Sequence, residues 1–200
     1  QPPPMAAPDE AWARASKRIK RDRRQAEYLS RLAGQAMVDA TAERLTRITP
    51  GQFDVYTSYT RNATSKFNGP GRAGKPPSRR QVLLAEALGR LPKFEGTVWR
   101  GIALQDAAAT IRAWQNDGVI MDAGFASASL DEGEARRFAQ GGVLLKIEGK
   151  SGVYMAPLTT LARLRKEQEV LFPRSARFRI LRVLPPSGGE SLWIVEVEGE

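Results

Sequence analysis

The hydrophobic and polar positions along this chain change rhythm once. From Asp9 to Ile48 apolar residues recur in steps of three and four, at Ile19, Tyr28, Leu32 and Met37, amid dense Arg and Lys. That is the period of an amphipathic helix. Gly34 divides the run into two helices, and Pro50 and Gly51 end it. A further helix is expected over QFDVYTSYTRNATSKF, then an irregular loop, NGPGRAGKPP, in which Gly and Pro alternate with basic residues. Ser78 stands where the N-cap of SRRQVLLAEALGRL belongs.

From Phe94 the period shortens. FEGTVWRGIAL reads as a strand and LQDAAATIRAWQNDG as a helix stopped by Gly118. AGFASASL is a short strand. DEGEARRFAQGG is a helix, with Asp131 and Glu134 in capping-box spacing and Gly141–Gly142 beyond its end. VLLKIEG, QEVLFP, ARFRILRVLP and SLWIVEVEG are rich in β-branched residues and read as strands. Helices first and mostly strands later predict an α+β fold rather than alternating βαβ units. Residues 1–50 form a basic helical segment in this scheme and residues 51–200 the folded domain. The chain opens on Gln1 and a proline-rich stretch, so its natural start is expected further upstream.

Composition narrows the chemistry. The chain of 200 residues is 42% hydrophobic and 26% charged, ordinary values for one globular domain. No apolar run reaches the ~18 residues of a membrane span, and no membrane partner is expected. Cysteine and histidine are both absent. Thiolate nucleophiles, disulfides, serine–histidine catalysis and most zinc sites are therefore excluded. Acid–base work falls to carboxylates. The net charge is +9 and the pI near 10.2. Residues 61–93 hold eight Lys/Arg against one acid, Glu86. Such a segment is either a solvated basic surface or a polyanion-binding one.

Three segments place polar residues inside apolar strands. In TVWRG, Arg100 needs a partner for its guanidinium. It either bridges a buried carboxylate or binds a phosphate through its planar fork, with Gly101 letting a ligand approach the backbone. In GFASASL, Ser127 and Ser129 share one strand face and Ala126 and Ala128 the other. In RKEQEVLFP, Glu167 and Glu169 stand two residues apart. Read as a strand, they share a face, where like charges raise at least one pKa. Paired carboxylates of this kind stabilise an oxocarbenium-like transition state at a sugar carbon and position the attacking group.

In this order, the segments resemble the mono-ADP-ribosyltransferase toxins of the arginine–serine–glutamate class, which includes clostridial binary toxins and bacterial antagonism effectors. The resemblance runs from Tyr56 to Val183 and covers YTSYT, LAEALGRLPKFEGTVWRG, FASASL with ARRF downstream, VLLKIEGKSG and EQEVLFPRSARFRI. It implies a mixed, split β-sandwich around an NAD cleft, with helices mainly N-terminal. NAD would be the substrate, and no metal would be needed. By the same resemblance Glu169 stabilises the cationic ribose as nicotinamide leaves, Glu167 aligns or deprotonates the acceptor, and Ser127 orients Glu169. Arg100 grips the phosphates, Gly101 and Ser129 line the same site, Phe138 stacks on nicotinamide and Tyr56 touches the dinucleotide. A phenylalanine on a helix is equally a candidate for core, and both readings of Phe138 stand.

The chain departs from the family pattern in two places. Ala128 replaces a threonine between the two serines, and PLTTLARLRK lacks the aromatic residue that many relatives use to hold a protein target. Leu161, Leu164, Arg163, Arg165 and Lys166 stand there instead. The two-glutamate motif implies an arginine of a target protein as acceptor. The basic composition keeps RNA or DNA open as acceptor, and water would make the enzyme an NAD glycohydrolase. As a secreted or injected effector, it would act in the cytoplasm of a target cell, with an acidic immunity protein expected in its producer.

Overall fold

The computed structural model describes residues 73–91, 93–155 and 168–200, together with Val55, Tyr59 and Asn68. Val55 and Tyr59 are helical, as expected for residues 52–67. The earlier helices and the boundary at residue 50 lie outside the described residues. Two compact units form, Gln1–Pro92 with Val153–Lys166, and Lys93–Gly152 with Glu167–Glu200.

In the first unit the helix α1 (Arg79–Arg90) begins as its sequence dictates. The Ser78 hydroxyl accepts from the Gln81 amide, and the Gln81 side chain accepts from the Ser78 amide. This reciprocal cap is worth on the order of 1 kcal/mol. Gln81, Leu84, Ala87 and Leu88 are buried on one helical stripe.

The second unit holds the strands, apart from Val153 and Tyr154, which belong to the first. In chain order it runs β1 (Phe94–Ile102), α2 (Ala107–Asp117), β2 (Val119–Met121), β3 (Ala126–Ser129), α3 (Glu132–Ala139), β4 (Val143–Tyr154), β5 (Glu169–Phe172), β6 (Arg177–Leu184) and β7 (Trp193–Gly199). Asp106 caps α2, and Gly118 ends it in the left-handed conformation at φ 71°. The strand β2 has no counterpart in the sequence pattern, because VIM is too short a run to display a period.

The strand order is β1-β3-β5-β4-β7-β6-β2, and β1 also pairs with β4. Strands β1, β3, β5 and β4 thus close on themselves, while β7, β6 and β2 extend from β4. The β4–β7 pair is parallel, and β1–β4, β3–β5 and β6–β7 are antiparallel. Phe172 of β5 meets Phe178 of β6 edge-on, with centroids 5.1 Å apart. Those strands are not neighbours in the sheet, so the contact joins two layers. This is the α+β fold that the pattern predicts, with the mixed sheet that the resemblance implies.

Alternation explains what lies inside. Val98 faces Ile147, which faces Val197, and all three are fully buried. The next residue on each of β4 and β7 carries charge. Glu196 takes Arg182 through two hydrogen bonds of 3.0 and 3.1 Å and has Lys146 at 4.0 Å. Glu198 pairs with Arg179 and with Lys150, and Arg177 pairs with Glu200. The hydrogen bond from Arg182 holds the Glu196 carboxyl below its ordinary value of 4.5, and that from Arg179 does the same for Glu198. Arg177, Arg179 and Arg182 of β6 are thus each matched by a glutamate of the C-terminal segment.

Candidate active site

Strands β1, β3 and β5 lie side by side and bring the three polar segments together. Trp99 pairs with Ser129, and Ser129 pairs with Glu169. Ser127 pairs with Leu171 and is the diagonal neighbour of Glu169. Residues opposite one another in an antiparallel pair share a face, so both hydroxyls and the carboxylate point the same way. Ala126 and Ala128 point the other way, into the core opposite Phe172 and Val170. Alanine at 128 is therefore an interior residue, and its missing hydroxyl belongs to the face away from Glu169.

Ser129 also builds the turn into α3. Its hydroxyl accepts the Asp131 amide at 2.9 Å, and Asp131 in turn caps the helix by accepting from the Glu134 amide at 3.1 Å. Only half of the expected capping box forms between Asp131 and Glu134. The other half is replaced because Ser129 takes the Asp131 amide and Glu134 pairs with Arg137. The face carrying the serines is thus tied to the start of α3.

Arg100 takes the first of its two readings, a bridge to a sheltered carboxylate, and adds a backbone acceptor. One guanidinium nitrogen, Nη1, donates to the Ser127 backbone carbonyl at 2.7 Å. The other, Nη2, lies 2.9 Å from Asp122 Oδ2. The side chains of the pair are 17% and 19% exposed, so each is sheltered yet reachable. Asp122 did not figure among the sequence candidates. Its signal was the D-x-G spacing of MDAGF, in which Asp122 Oδ1 accepts the Gly124 amide at 2.9 Å.

One expectation changes. Gly101 is explained by the protein itself: an added Cβ would sit 1.9 Å from the Ala135 carbonyl oxygen and 2.5 Å from the Ala139 amide nitrogen. The close approach is made by the backbone of α3, rather than by a ligand. Whether Glu167 shares a face with Glu169 lies outside the described residues. Gln168 between them has φ 45°, and β5 begins only at Glu169. The Gln168 carbonyl accepts the Leu130 amide at 3.1 Å, just before β5. Glu167, Tyr56 and the loop PLTTLARLRK lie outside the described residues.

Phe138 resolves toward the surface. It is 55% exposed on α3, where Ala135 and Ala139 are the buried positions. No group of three or more acids capable of holding a metal occurs among the described residues.

Comparison with known proteins gives the family and the fold. The model of the ADP-ribosyltransferase exoenzyme family matches residues 34–197. Among curated proteins, the NAD(+)–protein-arginine ADP-ribosyltransferase Tre1 of Serratia proteamaculans is 26% identical over 161 residues, 78% of this chain. The chain spans about a third (34%) of that protein's length. Among solved structures, Plx2a, an ADP-ribosyltransferase toxin from Paenibacillus larvae, aligns with a TM-score of 0.65 at 20% identity, over 90% of this chain and 96% of that one. The ADP-ribosyltransferase HopU1 of Pseudomonas syringae aligns at 0.67 and 16% identity, over 86% of each. These structural likenesses establish the fold.

Proposed function

Because this chain belongs to the ADP-ribosyltransferase exoenzyme family, we propose that it transfers ADP-ribose from NAD to an arginine of a target protein and releases nicotinamide. The observation that carries the site is the row Ser129–Glu169, with Ser127 diagonal to the carboxylate and Arg100 bonded to the Ser127 carbonyl. Glu169 takes the place of the group that hydrogen-bonds the nicotinamide ribose. Its negative charge stabilises the cation that develops as the bond between C1′ and the nicotinamide nitrogen breaks. Ser127 holds that carboxylate in one rotamer, and Arg100 binds the diphosphate. Phe138, exposed on α3, offers its ring to nicotinamide.

The leaving nicotinamide keeps the electron pair of the broken bond. A guanidine nitrogen of the acceptor then attacks C1′ and gives its proton to Glu167, so the products are ADP-ribosyl-arginine, nicotinamide and one proton. The arginine acceptor is supported by the Glu-x-Glu motif and by the activity for which Tre1 is named. A delivered effector of this kind acts in the cytoplasm of a target cell, and its producer needs an inhibitor. The basic charge of the chain suits an acidic one.

Nicotinamide release separates the two glutamates. Glu169→Gln is expected to slow release and transfer together, by a factor on the order of 10²–10³. Glu167→Gln is expected to abolish transfer while leaving hydrolysis of NAD nearly intact. Equal loss of both reactions in the two variants would end this division of labour.

A further inference from the structure

We infer that Asp122 is the positioning residue that sets Arg100 for the NAD diphosphate. The inference rests on Arg100 being the phosphate-binding group. The two terminal nitrogens of Arg100 are bonded to two different acceptors, Nη1 to the Ser127 carbonyl at 2.7 Å and Nη2 to Asp122 at 2.9 Å. One bond would leave the guanidinium free to swing about it. Two bonds to separate fixed points set both its position and its plane, on which bidentate phosphate recognition depends.

Both acceptors are themselves held. The Ser127 carbonyl belongs to β3. Asp122 is locked by its own Oδ1, which accepts the Gly124 amide at 2.9 Å. Its backbone carbonyl accepts the Ser175 amide at 3.0 Å, and Arg174 Nε donates to the neighbouring Ala123 carbonyl at 3.4 Å. Arg174 and Ser175 lie in the turn that leaves β5, the strand that starts at Glu169. Asp122 therefore ties the arginine of β1 to the strand that carries the glutamate. A pre-set arginine loses less rotamer freedom when NAD binds.

The test measures binding of the non-hydrolysable carbocyclic NAD analogue by calorimetry. The proteins are wild type, Asp122→Ala, Asp122→Asn, Arg100→Ala and the Arg100→Ala/Asp122→Ala double variant. Asn presents one acceptor oxygen where Asp122 uses two, so it serves Gly124 or Arg100 but not both. If Ala at 122 impairs folding, Asn carries the test alone. Each Asp122 variant is expected to weaken binding about five- to tenfold. At saturating NAD its nicotinamide release should stay within about threefold of wild type, because the effect enters through binding. In the Arg100→Ala background, loss of Asp122 should change affinity by less than about twofold. An equal loss in both backgrounds would overturn the inference, since Asp122 would then act without Arg100. Unchanged affinity in both Asp122 variants, with Arg100→Ala weakened, would overturn it and leave the phosphate role of Arg100 standing. Wild-type affinity in Arg100→Ala would remove both.

Discussion

Gly101→Ala pits a single added methyl group against the backbone of α3. The new Cβ would lie 1.9 Å from the Ala135 carbonyl oxygen and 2.5 Å from the Ala139 amide nitrogen. A carbon–oxygen contact needs about 3.3 Å, so the oxygen must retreat by roughly 1.4 Å. Both clashing atoms are backbone atoms of α3, and no change of rotamer relieves them. The helix has to move off β1 as a body. Overpacking of this kind costs about 1–3 kcal/mol, and two backbone clashes put it at the upper end. Replacing glycine within a strand returns roughly 0.5–1 kcal/mol of backbone entropy. The expected net loss is about 2 kcal/mol. Gly89 in α1 supplies the opposite case: nothing lies within 4 Å of its added Cβ, and alanine there should stabilise by about 0.5–1 kcal/mol. Urea unfolding followed by far-ultraviolet circular dichroism measures both. Because α3 carries Phe138 and the residue before Gly101 is Arg100, the Gly101 variant should also raise KM for NAD. Wild-type stability in Gly101→Ala would refute the close packing of α3 on β1.

Three further outcomes follow from burial and charge. Tyr154 is fully buried, its hydroxyl has no hydrogen-bond partner among the described residues, and burial pushes its pKa up to about 12 from 10.0. Tyr154→Phe should therefore stabilise by about 1 kcal/mol at neutral pH, as judged by chemical denaturation. The raised pKa means that the neutral phenol's contribution is present below pH 10 and is lost as pH climbs toward about 12. Alkaline destabilisation in that window should be smaller in Tyr154→Phe than in wild type. Glu196 and Glu198 have depressed pKa values, so their contribution is present above the ordinary value of 4.5 and lost as pH falls through the lowered one. Unfolding midpoints measured from pH 6 to pH 3 should fall less steeply for the Glu196→Gln/Glu198→Gln variant and in molar salt.

The sequence carried the strands of the second unit well, because each long strand shows its period over several residues and a turn residue closes it. Ser78 and Gly118 were legible as caps for the same reason, since each acts through its immediate neighbours. The site was legible as three short segments, yet not as an arrangement. Only the register reveals that Ser129 faces Glu169 directly and that Ser127 sits diagonal to it. What escaped depends on contacts between segments distant in the chain. Asp122 acquires meaning only when Arg100 reaches it across 22 residues. Gly101 looked like room for a ligand because a glycine states that something comes close without saying what. Gln168 has no composition signal for its positive φ, so the start of β5 at Glu169 was not legible from residue types.

The fate of the ribose once nicotinamide has left distinguishes transfer to arginine from every other outcome. Target-cell material incubated with NAD and wild type, Glu167→Gln or Glu169→Gln, then digested and sequenced by mass spectrometry, reads this out. ADP-ribose on arginine side chains with wild type, free ADP-ribose without transfer for Glu167→Gln, and neither product for Glu169→Gln is the expected result. ADP-ribose on nucleotides or on another side chain would contradict the acceptor, and undiminished modification by Glu169→Gln would contradict the site.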